Sequence, residues 1–183
     1  MKKILIFCMT LLVMSACVEE PDIYKLLPAE EAALIPYQMG QTVSFLEQNG
    51  DTLAYTVVLD EIHLFDGEYY NPYGYEKMKF IPKDYCYARS VNLECEQTGA
   101  KFSFMIVPGT ELFVFWDRDL LIDCVLTYNP AETVTIGGTT YNQVHSGILY
   151  SSQTGELLYE WHYSAEYGLI SAKYDGKSLT RIP

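Results

Sequence analysis

The punctuation of this chain limits its fold more than any other feature. From Thr42 to Leu59 it reads "TVSFLEQNGDTLAYTVVL", two runs rich in β-branched and aromatic residues around Asn49-Gly50. Such runs suit a pleated, half-buried surface, and Asn-Gly supplies the positive φ angles of a type I′ hairpin turn. That turn predicts pairing of Leu46 with Leu53 and of Ser44 with Tyr55. Gly137-Gly138 and Asp175-Gly176 repeat the signal, joining 131–136 to 139–150 and 169–174 to 177–182. Pro108-Gly109 suits a type II turn, whose twist matches a hairpin poorly, so a longer loop is an alternative there. With 84–96, 101–107, 110–116, 120–128 and 156–163, the chain carries about ten short strands between turn signals. No repeat of solenoid length and no linker divides them. The expectation is an all-β chain, a single antiparallel domain forming a curled sheet, open barrel or sandwich, with one short N-terminal helix. Pro28–Leu34 is the helical segment, with proline pre-set for the first position and Glu30 and Glu31 at the positive end.

One hairpin is apolar on both faces. Across Pro108-Gly109 the pattern sets Phe102, Phe104, Ile106, Phe113 and Phe115 on one side, and Met105, Val107, Leu112, Val114 and Trp116 on the other. A sheet with one wet face alternates instead. The hairpin therefore lies between two layers or turns one face to a cavity.

The N-terminus is a separate matter. Met1-Lys2-Lys3 is followed by a run to Met14 that is apolar apart from Thr10, then by Ser15-Ala16. This is the layout of a secretory signal peptide, too short in its apolar part to span a bilayer. Its end, Val13-Met14-Ser15-Ala16-Cys17, resembles the bacterial lipobox, cut before a cysteine that becomes the lipidated N-terminus. The resemblance implies a signal peptide over 1–16 and a lipidated tether anchored through Cys17. The tether runs over 17–27 and leaves the β-rich domain read above to 28–183. Each buried methylene contributes about 0.8 kcal/mol, so several acyl chains hold a protein on a membrane. The acidic run Glu19, Glu20, Asp22 resembles the signal that sends some lipoproteins of Gram-negative bacteria to the outer face of the outer membrane; a solvated tether explains the same residues. The expected location is the outer membrane, lipid-anchored, with surface and periplasmic facing both open.

Charge narrows the partners. Loss of the leader removes Lys2 and Lys3, so ten of the twelve basic side chains remain against twenty-four acidic ones. No basic stripe exists to displace counterions from phosphates, so nucleic acid is excluded as a partner. Of five cysteines, Cys8 belongs to the leader and Cys17 to the anchor, leaving Cys86, Cys95 and Cys124. Cys86 and Cys95 could bridge only if the chain turns near Arg89-Ser90; on one continuous strand they are too far apart, and Cys124 alternates with Leu120, Ile122 and Leu126 as a core position. Three free thiols are expected.

Few residues suggest chemistry, and no cofactor is implied. A register aligning 148 with 159 sets His145 opposite His162, and with Glu160 these imidazoles form a weak candidate zinc site. A polar surface gives the same pattern. His63 alternates with Glu61 near a strand end, as a solvated or hydrogen-bonded side chain does. Asp117, Asp119 and Asp123 fit a turn better than a calcium loop, because the glycine and terminal glutamate of an EF-hand are missing. The catalytic sequence motifs of hydrolases, metalloproteases and nucleotide-binding enzymes are missing, so a non-enzymatic role is expected. The segment "DGEYYNPYGYEK", 66 to 77, places Tyr69, Tyr70, Tyr73 and Tyr75 among glycine, asparagine and proline. Tyrosine loses little entropy on binding and stacks on flat ligands, so this loop is a recognition surface or a cover over the core.

The closing stretch "LLYEWHYSAEYGLISAKYDGKSLTRI" resembles the end of many small bacterial lipoproteins, and in outline the half-barrel of lipoprotein carriers, a sheet curled around a helix. Three functions follow as expectations: a lipid-anchored module binding a glycan, protein or surface partner; a carrier holding an apolar ligand against Phe102–Trp116; and a metal-dependent hydrolase.

Overall fold

A computed structural model describes residues 25–65, 86–117, 119–126, 131–150, 154–174 and 176–183. The expected leader 1–16, Cys17, and loop residues Tyr69, Tyr70, Tyr73 and Tyr75 lie outside the described residues.

One helical turn, α1 (Ala29–Ala32), precedes eleven strands: β1 (Thr42–Glu47), β2 (Thr52–Phe65), β3 (Cys86–Cys95), β4 (Lys101–Val107), β5 (Glu111–Trp116), β6 (Asp119–Val125), β7 (Glu132–Ile136), β8 (Thr139–Tyr150), β9 (Leu157–Ser164), β10 (Gly168–Tyr174) and β11 (Lys177–Arg181). They form one antiparallel sheet in the order β6-β5-β4-β3-β2-β1-β11-β10-β9-β8-β7. Eleven strands at about 4.8 Å spacing would lie about 48 Å across if flat. The two edges, β6 and β7, are consecutive in sequence, and the seven steps from Val125 to Glu132 reach at most about 25 Å. The sheet must therefore curl into a half-barrel.

The concave face is the main core. Phe45, Tyr55, Phe102, Phe104, Leu112, Val114 and Tyr163 project into it, each at most 1% exposed. Ile35 and Tyr37, on the segment after α1, fill it from one end. Three side chains hold that segment. The Tyr163 hydroxyl donates to the Leu34 carbonyl at 2.7 Å, and the Leu169 amide donates to the Tyr37 hydroxyl at 2.8 Å. The Arg89 guanidinium donates to the carbonyls of Ala32 and Ile35, each at 2.7 Å, and of Tyr37 at 2.8 Å. Its two remaining contacts go to Asp60 at 2.8 and 2.9 Å, so all five of its donors are used.

Several expectations are corrected here. The helix is one turn rather than two, with Pro28 preceding it as N-cap. Order begins before residue 28: the Lys25 carbonyl accepts from the Tyr87 amide at 2.9 Å, and Leu27 packs on the core. The β1–β2 pairing is Phe45 with Leu53 and Ser44 with Ala54, one residue from the expected register. The loop is Gln48-Asn49-Gly50, closed by Gly50 amide to Glu47 carbonyl (3.0 Å) and Glu47 amide to Asp51 carbonyl (2.8 Å). Gly50 alone takes a positive φ, 91°, while the Asn49 side-chain Oδ1 accepts from the Asp51 amide at 2.9 Å. Asparagine's side chain here satisfies the backbone that a second left-handed residue would have turned.

The Pro108 loop likewise has three residues, pairing Val107 with Glu111. That extra residue flips β5 relative to the expected faces. Leu112, Val114 and Trp116 join Phe102, Phe104 and Ile106 inside, and Phe113 and Phe115 join Met105 and Val107 in a second apolar cluster with Phe65, Cys86 and Ala88. The hairpin is apolar on both faces because each meets its own cluster. Cys86, Cys95 and Cys124 are free thiols. Cys86 and Cys95 belong to different clusters on opposite faces of β3.

Candidate functional site

The strands end in two groups. The turns β1–β2, β3–β4, β5–β6 and β10–β11 meet at one end of the half-barrel, the turn end. The helix end holds α1 and the β4–β5 loop, whose Gly109 and Thr110 amides donate to a Glu31 carboxylate oxygen at 2.8 and 3.2 Å.

At the turn end a cleft of ≈ 280 Å³ has Tyr55 and Trp116 as its floor, Glu47, Asp117 and Lys177 as its walls, and Thr98 to Ala100 along one rim. Depressions of ≈ 510 Å³ and ≈ 390 Å³ continue it across Gln48, Gly176 and Ser178. Local chemistry builds each part. Trp116 is the last residue of β5, and Asp117 turns the chain with a φ of 49°. The Asp117 amide donates to the Lys101 carbonyl at 3.0 Å while its carboxylate accepts from the Lys101 amide at 2.9 Å. This reciprocal pair fixes Trp116 beside the start of β4. Thr98 Oγ1 accepts from the Ala100 amide at 3.2 Å, and Gly99 passes through the left-handed region at φ 72°.

The floor is a stack of rings. Trp116 lies on Phe102 with centroids 5.5 Å apart and an interplanar angle of 23°. Tyr55 meets Phe102 at 5.1 Å and stands edge-on to Phe45 at 5.6 Å. The Lys177 ammonium sits 5.8 Å above the Trp116 ring centroid, within cation–π range.

Two polar atoms in this floor are incomplete. The Tyr55 hydroxyl and the Trp116 indole N–H are buried without a hydrogen bond of normal geometry, on side chains 0% and 4% exposed. The indole approaches the hydroxyl closely enough to favour its ionised form, but burial, then Cys95, Asp117 and Glu47, push the phenol well above its usual range. Tyr55 is therefore a neutral donor and acceptor beside a donor-only indole.

The expected histidine pair does not form. His162 pairs with Ser146 and His145 with Tyr163. Near the turn, Tyr150 opposite Leu157 keeps the expected register, and a bulge before Leu149–Tyr159 then moves it by one residue. A one-residue slip exchanges faces, so His145 and His162 point to opposite sides of the sheet. His162 Nδ1 is 2.8 Å from Ser171 Oγ, and Glu160 accepts from Lys173 Nζ at 2.8 Å. Burial holds the His162 imidazole below its ordinary range. No group of three metal-ligating side chains occurs among the described residues. His63 is half-buried opposite Ala88, with Nδ1 lacking a partner. Asp117 serves the β5–β6 turn, as expected of a turn aspartate, and Asp123 is exposed on β6. Burial pushes the Cys124 thiol up to about 12, with Asp123 and Glu111 adding to it.

Sequence reasoning missed the cleft. Its residues come from β1, β2, the β3–β4 turn, β5 and β11, and only the sheet order brings them together. No protein-family model, curated protein or solved structure matches this chain.

Proposed function

We propose that this protein is a lipid-anchored, non-enzymatic recognition module of the bacterial outer membrane, held through Cys17 and binding its partner at the turn end of the half-barrel. The observation that carries the reading is the pair of buried, incompletely bonded polar atoms, Tyr55 Oη and Trp116 Nε1, in the floor of an open polar cleft. A buried polar group without a partner costs about 1–3 kcal/mol, and such groups recur where a ligand completes them. The lining offers donors, acceptors and aromatic edges, the groups that hold a ligand. A carrier role draws less support, because Tyr37, Phe45, Phe102 and Phe104 fill the concave face that would receive an apolar guest.

The anchor and the site are tested separately. Labelled palmitate should enter the wild-type chain, and Cys17→Ser should abolish labelling and membrane partition. The solubilised full chain should be retained on an array of immobilised glycans and peptides. A variant with Tyr55→Phe and Trp116→Phe should lose at least about tenfold in affinity, or about 1.4 kcal/mol. Retention unchanged in that variant would place recognition elsewhere and end the proposal for the cleft.

A further inference from the structure

We infer that the Tyr55–Trp116 cleft takes a neutral, hydroxyl-bearing ligand, a saccharide ring, an inference that rests on the recognition reading above. The donor and acceptor inventory selects this class. The Trp116 indole N–H only donates and has no partner at normal hydrogen-bond geometry, so an acceptor on a ligand would complete it. Glu47 and Asp117 only accept, so the same ligand must bring donors to the walls. Asp117, in the cleft lining, already takes the Lys101 amide, which orients its carboxylate and leaves further lone pairs able to accept.

Charged ligands fail on one side or the other. An anion meets two carboxylates against the single ammonium of Lys177. Burial first, then Cys95, Asp117 and Glu47, raise the Tyr55 phenol, so the floor also resists taking on negative charge. A simple ammonium suits the carboxylates but has no acceptor for the indole. An uncharged group that donates and accepts at once is required, which leaves hydroxyls and amides. Peptides bind tightly by seating an apolar or aromatic anchor in a desolvated pocket. The walls and rim here are Glu47, Thr98, Gly99, Ala100, Asp117 and Lys177, and the floor residues Tyr55 and Trp116 expose only 0% and 4% of their surface, too little ring face to seat an apolar anchor. Hydroxyls need none. A sugar edge can accept from Trp116 and Lys177 while donating to Glu47 and Asp117, with Tyr55 bridging in either sense.

The molecule carries its own reporter. Of two tryptophans, Trp116 lines the cleft and Trp161 lies in the core, so Trp161→Phe leaves a single emitter at the site. The full chain in detergent is titrated with D-glucose, D-galactose, N-acetyl-D-glucosamine and, separately, glycylglycinamide. A saturable change in Trp116 emission with at least one sugar is expected, with Kd near about 1 mM, as suits a single ring. Tyr55→Phe should weaken it at least tenfold while leaving the melting temperature unchanged or higher, because it deletes an unsatisfied buried hydroxyl. That stability readout keeps the test sound if Trp116 variants fold poorly. No saturable response to any sugar up to about 100 mM, a concentration that samples even very weak sites, overturns the inference. Response to glycylglycinamide alone overturns the saccharide class but leaves the recognition reading standing. Silence towards both removes the saccharide and leaves an ordinary hydrated cleft.

Discussion

Gly168 is the most crowded glycine among the described residues. It sits at φ 75°, and a Cβ placed there would lie 2.2 Å from the Tyr37 hydroxyl. Both terms oppose a side chain, so Gly168→Ala should cost about 3 kcal/mol or more in a urea melt. Gly50 shares the left-handed backbone, at φ 91°, but faces open space. Gly50→Ala should cost only about 1–2 kcal/mol, the backbone term alone. Glu111 offers a different test. Burial, reinforced by the Asp123 carboxylate, pushes its carboxyl from 4.5 up to about 7. Between those two values the folded chain holds a proton that the unfolded chain has lost, so stability falls as pH rises through the window. Glu111→Gln should therefore raise the melting temperature at pH 8, with the advantage fading below pH 4.5. Of these roles only the left-handed turn at Gly50 was legible in sequence. The partners of Gly168 and Arg89 lie tens of residues away, and the carbonyls that Arg89 binds have no side-chain signature.

Elements were more legible than their registers. The turns at Gly137-Gly138 and between Tyr174 and Lys177 form as expected, because two adjoining glycines, or a two-residue link, leave one solution. Asn49-Gly50 and Pro108-Gly109 admit two loop lengths, and burial rather than turn chemistry chooses between them. The three-residue loop puts Val43 and Phe45 inside, 5% and 0% exposed, and leaves Leu46 outside at 44%. A two-residue loop would reverse that. Deleting Gln48 leaves Asn49-Gly50 as a two-residue turn between Glu47 and Asp51, so the β1–β2 register and the burial of Phe45 are kept. The variant should unfold in urea as cooperatively as the wild type, whereas lost cooperativity would show that the three-residue loop itself holds the register. The same ambiguity hid the fate of His145 and His162. A bulge is invisible in periodicity, and one bulge moved them to opposite faces.

The whole molecule is a ring of neighbours opened at one place. Every strand pairs with its sequence neighbour except at the β11–β1 seam, and the opening falls between β6 and β7. Composition and turn spacing made the all-β class legible, and a curled sheet was among the architectures expected; which two strands are left as edges was not legible, because it follows from the pairing order. A permutant cut between 126 and 131, with Pro183 joined to Lys25 by a linker of about eight residues, turns the sheet into a plain meander. It should keep its β spectrum and refold faster in stopped-flow, since its most distant pairing becomes local. The Arg89 clamp adds a mechanical consequence. Any drag on the chain ahead of Lys25 reaches the sheet first at Tyr87, then through three carbonyls at Arg89 and onward to Asp60. The load thus enters the interior strands β2 and β3, spread over several bonds at once. A domain leashed in flowing fluid is hauled by its middle, and its free margins bear none of the strain.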